Sequence, residues 1–230
     1  MDRLDPRLRE ELLALGPRRD YRAGQRLLME GAATTHVFLI VTGVVKVTAT
    51  AKERGPAVLA MRHEGDLVGE LAAMDGSPRS ASVVACRQVT AHEIGRAAFL
   101  AFRDRPGVSP VVSSTVNDKL RAANRRRLEF TGFPVRTRIA RILVEFGPEY
   151  GQRSPTGEVL VHLTQEEIAG TAGAALVTVQ QEMAKLRSQG LTGKGYGWTA
   201  IRRLDGLVAV GWPGVSSYEM LLRSRRTHTS

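Results

Sequence analysis

The chain has one cysteine, Cys86. A lone thiol makes no internal disulfide, and one chain can draw neither a structural zinc site nor a cysteine-ligated iron–sulfur cluster from it. In the apolar run SVVAC it is most simply a small core residue. No apolar run approaches the ~18 residues of a membrane-spanning helix. The opening segment MDRLDPRLREELLAL mixes acids with arginines, unlike a signal peptide, so a cytoplasmic protein without membrane contact is expected. His36, His63, His92, His162 and His228 show no pairing suited to a metal ion. Ser80 lacks a nucleophile elbow or a recognisable base, so neither a metal site nor a catalytic residue is expected, and enzymatic function is not favoured. Lysine is scarce too, with five among the 33 basic residues.

What is present is an ordinary globular composition, 43% hydrophobic and 24% charged over 230 residues, which excludes wholesale disorder and a fibrous repeat. The net charge of +10 points to a polyanionic partner, although so arginine-, alanine- and glycine-rich a chain can owe part of its bias to a GC-rich genome. Residues 1–110 carry 16 basic and 13 acidic residues, and residues 111–230 carry 17 and 10. The excess therefore lies mostly in the C-terminal half.

The pattern changes along the chain in the same sense. After an amphipathic opening, Asp5 to Leu15, the segment 20–95 alternates short β-branched runs with glycine punctuation, as in a sandwich or barrel. From Ser109-Pro110 to Phe130 there is no internal glycine or proline, and Ser109 can cap a helix with Pro110 in its first position. Val112, Val116, Leu120 and Ala123 give this helix a narrow apolar stripe, compatible with a seam to a second subunit or with packing on its own barrel. Thr131-Gly132-Phe133-Pro134 is the expected hinge. Beyond it VRTRIARILVEFG predicts a helix ending at Gly147-Pro148, EVLVHL a strand, and LTQEEIAGTAGAALVTVQQEMAKLRSQGL two helices broken at Gly173. Thr164 and Glu167 form a capping box, Ile168 and Ala169 face inward, and Val179, Met183 and Leu186 give the second helix its buried face.

The run GDLVGELAAMDGSPRSASVV, Gly65 to Val84, holds the parts of a nucleotide-phosphate pocket. Gly69 permits close backbone approach, Glu70 can accept from sugar hydroxyls, and Arg79 with Ser80 supplies a fork and a hydroxyl for phosphate. The spacing Gly-Glu-Leu then Pro-Arg-Ser-Ala resembles the phosphate-binding cassette of cyclic-nucleotide-binding domains. With the helix pair downstream, residues 20–210 resemble the Crp/Fnr family of transcription regulators.

That resemblance implies an α+β chain with an N-terminal cyclic-nucleotide-binding β-roll (1–108), a long dimerisation helix and hinge (109–133), a C-terminal winged helix-turn-helix (134–212) and a disordered basic tail (213–230) holding Arg223, Arg225 and Arg226. It implies that Glu70 binds a ribose 2′-hydroxyl, that Arg79 and Ser80 bind the cyclic phosphate, and that the Gly69 and Leu71 backbone completes the wall. Against the adenine lies Ala123-Asn124; Asn124 can pair with a purine edge and Ala123 cannot. Cyclic AMP is the favoured effector, with cyclic GMP, a cyclic dinucleotide or no ligand as alternatives. The implied partners are double-stranded DNA, a second copy of the chain and RNA polymerase.

The recognition helix departs from the family's usual serine-arginine-glutamate-threonine-valine run, which is followed two positions later by arginine. Here stand Ala175-Leu176-Val177-Thr178-Val179 and Gln181. Thr164 and Thr178 can contact phosphates, Gln181 can pair with adenine, and Leu176 and Val177 offer apolar contact to thymine methyls. Glu182 would repel phosphates if exposed and would need a partner if buried. Lys185, Arg187, Lys194, Arg202 and Arg203 would add salt-dependent attraction. Two further readings stay open: the same fold sensing another ligand or constitutively active, and a protein-interaction module with impaired sequence-specific DNA binding.

Overall fold

The computed structural model describes residues 4–51, 55–129 and 132–214. Thr131 of the expected hinge and the arginines at 223, 225 and 226 lie outside them. The chain divides into two compact units, Met1–Ala49 with Val58–Arg125, and Thr50–Ala57 with Arg126–Ser230.

The first unit is built on two four-stranded sheets. One has the order β1-β8-β3-β6 and the other β2-β7-β4-β5, with β1 Arg18–Tyr21, β2 Arg26–Leu28, β3 Val37–Thr42, β4 Val44–Ala51, β5 Gly55–His63, β6 Leu67–Val68, β7 Ser82–Ala85 and β8 Val89–Ile94. Strand β3 shows why so short a stretch carries so unbroken an apolar run. Its side chains alternate in direction, so Phe38 and Ile40 join Leu28, Val45, Val83 and Ala91 in one core, while Val37 and Leu39 join a second. That second core is closed by helices: Leu12 of α1 (Pro6–Ala14), Ala73 of α2 (Glu70–Asp75), Phe99 and Phe102 of α3 (Arg96–Arg103), and Val112 of α4 (Val108–Glu129). Buried on both faces, β3 cannot show polar alternation.

Helix α4 starts at Val108, one residue before the expected cap, and Pro110 lies inside its first turn. The first four N–H groups of a helix have no intrahelical acceptor, so a proline there removes nothing the helix uses. The apolar stripe leaves the core as it runs on: Val112 is buried and Val116 half-buried, but Leu120 is 59% exposed and Leu128 74% exposed.

In the second unit α5 (Val135–Tyr150) carries the core through Ile139, Ile142, Leu143, Val144 and Phe146. It runs through Gly147-Pro148 rather than ending there. Proline removes one donor, but the Gly151 N–H still reaches the Gly147 carbonyl at 2.8 Å. The buried Tyr150 also packs edge-on against Phe146 with ring centroids 6.2 Å apart. Around α5 stand α6 (Gln165–Ala172), α7 (Leu176–Ser188), α8 (Leu204–Gly211) and a sheet of order β11-β12-β10-β9. Its strands are β9 Gln152–Arg153, β10 Val159–Val161, β11 Thr192–Lys194 and β12 Thr199–Ile201. The short β9 follows α5 directly and pairs antiparallel with β10. In the middle of α5, Arg141 donates Nε to the Gly211 carbonyl at 2.7 Å and is flanked by the rings of Phe133 (3.7 Å) and Trp212 (4.9 Å). The fold is the α+β arrangement expected, β-rich first and helical second.

Candidate functional site

In the first unit the cassette hangs between β6 and β7. Gly69 ends the strand in the left-handed region, φ +87°, and starts α2; a side chain there would also meet Arg79 Nη1 at 2.7 Å and Leu28 Cδ1 at 2.8 Å. Glycine is required twice, by dihedral and by space. The space is taken by Arg79, which is only 4% exposed. Its Nη1 donates to the Gly69 carbonyl (2.8 Å), its Nη2 to the His36 carbonyl (2.5 Å) and its Nε to Thr34 Oγ1 (3.1 Å). Its own backbone is pinned between Gly31 and Ala32. Arginine has five N–H donors in a planar fork, so one hydrogen on each terminal nitrogen is left for an anion. Burial pulls the Arg79 guanidinium down from its ordinary value, and the nearby Glu70 carboxylate opposes this.

Glu70 is buried and its Oε1 accepts from Lys119 Nζ at 2.7 Å; the same ammonium donates to the Leu67 carbonyl at 2.6 Å. Lys119 was not among the sequence candidates. The available signal was its position on α4, a cation one turn from Val116 and from Ala123 on the apolar stripe, where a charge needs a partner.

The structure thus brings Gly69, Glu70 and Arg79 together with Lys119, Thr34 and His36. Leu71 and Ser80 lie at the surface of the cassette, Leu71 at 47% exposed. Asn124 is exposed on α4, and with about 100° per residue it stands about 140° round the helix from Lys119, whereas Ala123 shares the Lys119 face.

His36, half-buried at the cassette, has its pKa lowered from 6.5 by burial first and Arg79 second, against a raising effect of Glu93. The unfolded chain therefore takes up a proton near 6.5 that the folded chain resists. This contribution to stability is full above that pH and is lost as pH falls below it. Thermal midpoints followed from pH 8 to 5 should decline in this range, and the decline should be shallower for His36→Gln.

In the second unit the Thr164 hydroxyl accepts from the Glu167 N–H (3.2 Å) and Glu167 Oε2 accepts from the Thr164 N–H (2.9 Å), so α6 starts on a complete capping box. Gly173 closes α6 at φ +61° and the chain turns directly into α7. Val179, Met183 and Leu186 are buried, which leaves Val177, Gln180, Gln181, Ala184 and Lys185 outward. Leu176 and Thr178 are half-buried.

Glu182 is not a free carboxylate: Lys185 Nζ lies 2.6 Å from its Oε1, so the two charges largely cancel. Arg187 is half-buried, with Nη1 enclosed by protein rather than presented at the surface. Lys194, at the end of β11, is exposed, as are Arg202, paired with Glu158 at 2.7 Å, and Arg203. Gln180, absent from the sequence candidates, shares the outward face with Gln181 at the spacing of one helical turn from Val177. A cavity of about 510 Å³ separates this part of α7 from the β11–β12 hairpin.

Among the described residues no group of three or more His, Cys, Asp or Glu could hold a metal ion, and no helix is long and apolar enough to cross a membrane.

A family model for the cyclic nucleotide-binding domain matches residues 18–105, and one for the Crp-like helix-turn-helix domain matches residues 137–210. The CRP-like cAMP-activated global transcriptional regulator of Mycobacterium tuberculosis is 28% identical over 173 residues, 74% of this chain and 77% of the relative. The cyclic AMP receptor protein of Thermus thermophilus is 27% identical over 187 residues, 80% of this chain and 83% of the relative. Among solved structures, the c-di-GMP responsive global regulator CLP of Xanthomonas campestris superposes with a TM-score of 0.74 at 19% identity, covering 86% of this chain and 100% of that one. At that identity the likeness speaks for the fold alone.

Proposed function

We propose, for a chain that belongs to the Crp/Fnr family of transcription regulators, that a cyclic nucleotide held by Gly69, Glu70, Leu71, Arg79 and Ser80 controls the binding of a homodimer to DNA in the cytoplasm. The observation that carries the ligand is Arg79: a buried guanidinium, fixed by three hydrogen bonds to its own cassette, with two N–H groups to spare for a phosphate. The ribose 2′-hydroxyl goes to Glu70, whose Oε1 is already held by Lys119. A ligand that competes for or joins that ion pair is felt at once by α4. Cyclic AMP is favoured, in keeping with the two relatives, both of which are named for it.

The exposed Leu120 and Leu128 on α4 call for cover, and a second α4 supplies it. Asn124, turned away from its own cassette, then serves the nucleotide only through the second subunit. The ligand shifts the dimer by binding better to the arrangement whose recognition helices stand about one DNA turn apart. In each, Leu176, Val177 and Gln181 face bases, while Thr164, Thr178, Lys185, Arg187 and Lys194 serve the phosphates, Lys185 and Arg187 less than the exposed Lys194. RNA polymerase is the further partner of a regulator so placed.

A second reading, an effector other than cyclic AMP, is favoured by one observation: Ala123, exposed one helical turn from Lys119, offers a purine no hydrogen bond. Calorimetric titration decides. Cyclic AMP should bind the wild type, and Arg79→Ala should weaken it about a hundredfold, the size of two lost charge-assisted hydrogen bonds. Equal binding by both proteins would remove Arg79 from the site. Binding of cyclic GMP or a cyclic dinucleotide with no response to cyclic AMP would select the second reading.

A further inference from the structure

The β11–β12 hairpin ends in a four-residue turn, Gly195 to Trp198. Lys194 pairs with Thr199 across the ladder, so the turn is short. A side chain on Gly195 would sit 2.0 Å from the Trp198 ring, because the indole folds flat over that glycine. Gly197 takes φ +76°. Two glycines and a half-buried indole thus fix the loop, and they thrust Tyr196 outward until it is 100% exposed. No other large apolar side chain among the described residues is as exposed. A rigidly supported aromatic ring standing wholly in water has its contact surface ready and little entropy to lose on docking.

The surroundings indicate what it meets. Between the hairpin and α7 lies the cavity of about 510 Å³, lined on the helix side by Gln180 and Thr164 and on the hairpin side by Lys194 and Trp198. In duplex DNA one sugar–phosphate strand separates a major groove from the neighbouring minor groove. If α7 enters the major groove, a strand lying in this polar channel puts the hairpin tip on its far side. We infer that Tyr196 enters the minor groove next to the half-site, its ring against the sugars and its hydroxyl toward the acceptors on the groove floor. The inference rests on the reading that this unit binds DNA. It adds a contact that responds to groove width and to the guanine 2-amino group, independent of the bases under α7.

The test starts from duplexes selected out of a random pool by the full-length protein. Affinities are then measured by anisotropy across a salt series, with thermal midpoints as a check that each variant is folded. Tyr196→Ala should bind the selected duplex roughly tenfold more weakly, as for one specific contact, with an unchanged salt slope. Lys194→Ala should lower that slope by about one, as for a lost phosphate contact. Tyr196→Phe should fall between wild type and alanine. Exchanging guanine for inosine in the flank alters the minor groove and leaves the major groove as it was; it should change the affinity of the wild type and leave that of Tyr196→Ala unmoved. Wild-type affinity, together with unaltered hydroxyl-radical protection, in Tyr196→Ala would overturn the tip contact while leaving DNA binding intact. A wild type that selects no duplex would overturn the DNA reading and this inference together.

Discussion

Glu145→Ala is expected to lower the unfolding free energy by about 3–5 kcal/mol, the usual cost of removing one partner from a buried ion pair. Glu145 is 7% exposed and Arg126 is 8% exposed. Arg126 Nε lies 3.3 Å from Glu145 Oε1, and its guanidinium stands 5.7 Å from the centroid of the Phe146 ring. The pair ties the last turn of α4 to the middle of α5. Alanine removes a carboxylate partner from a buried cation where water cannot easily replace it. Differential scanning calorimetry should show the midpoint of the C-terminal unit falling by more than about 10 °C. Glu145→Gln keeps the volume and one acceptor and should lose much less. Equal, small losses in both variants would mean that packing, not charge, holds this turn.

Gly69→Ala is the second large effect, about 3–4 kcal/mol of stability together with loss of nucleotide binding. A non-glycine residue in the left-handed region costs on the order of 1–2 kcal/mol by itself. The added methyl would also stand 2.7 Å from Arg79 Nη1, 2.8 Å from Leu28 Cδ1 and 3.1 Å from the His36 carbonyl. Arg79 would have to abandon the Gly69 carbonyl, and a charged hydrogen bond lost in a buried place adds roughly 1.5–3 kcal/mol. Urea unfolding and nucleotide calorimetry on the same protein measure both effects. Full nucleotide binding by a protein with this substitution would show that the Arg79 position is dispensable to the ligand.

Much of the cassette was legible in the chain because each part does a job no other residue type does. A glycine for the bend, a carboxylate after it and an arginine nine residues further on leave few other readings, and Gly69, Glu70 and Arg79 do converge. The helix pair was legible through Thr164-Glu167 and the spacing of Val179, Met183 and Leu186, since capping and three- or four-residue periodicity are local.

Part of what was not legible is long-range. Lys119 meets Glu70 across 49 positions of sequence, and its place on the apolar stripe says that it needs a partner without saying which. Glu182, which the sequence leaves either to repel phosphates or to need a partner, finds one in Lys185 on the same helix. Gly147-Pro148 predicts the end of α5 because that pair breaks most helices, whereas the helix runs on to Tyr150, whose ring packs on Phe146.

Both tryptophans of the chain lie in the second unit, Trp198 over Gly195 in the hairpin turn and Trp212 beside Arg141. The nucleotide cassette belongs to the first unit and has no indole of its own. Tryptophan emission is therefore a report on the second unit and not on the cassette itself. A spectral change on adding a nucleotide would be a signature of signal transmission rather than of binding, obtained without attaching a dye.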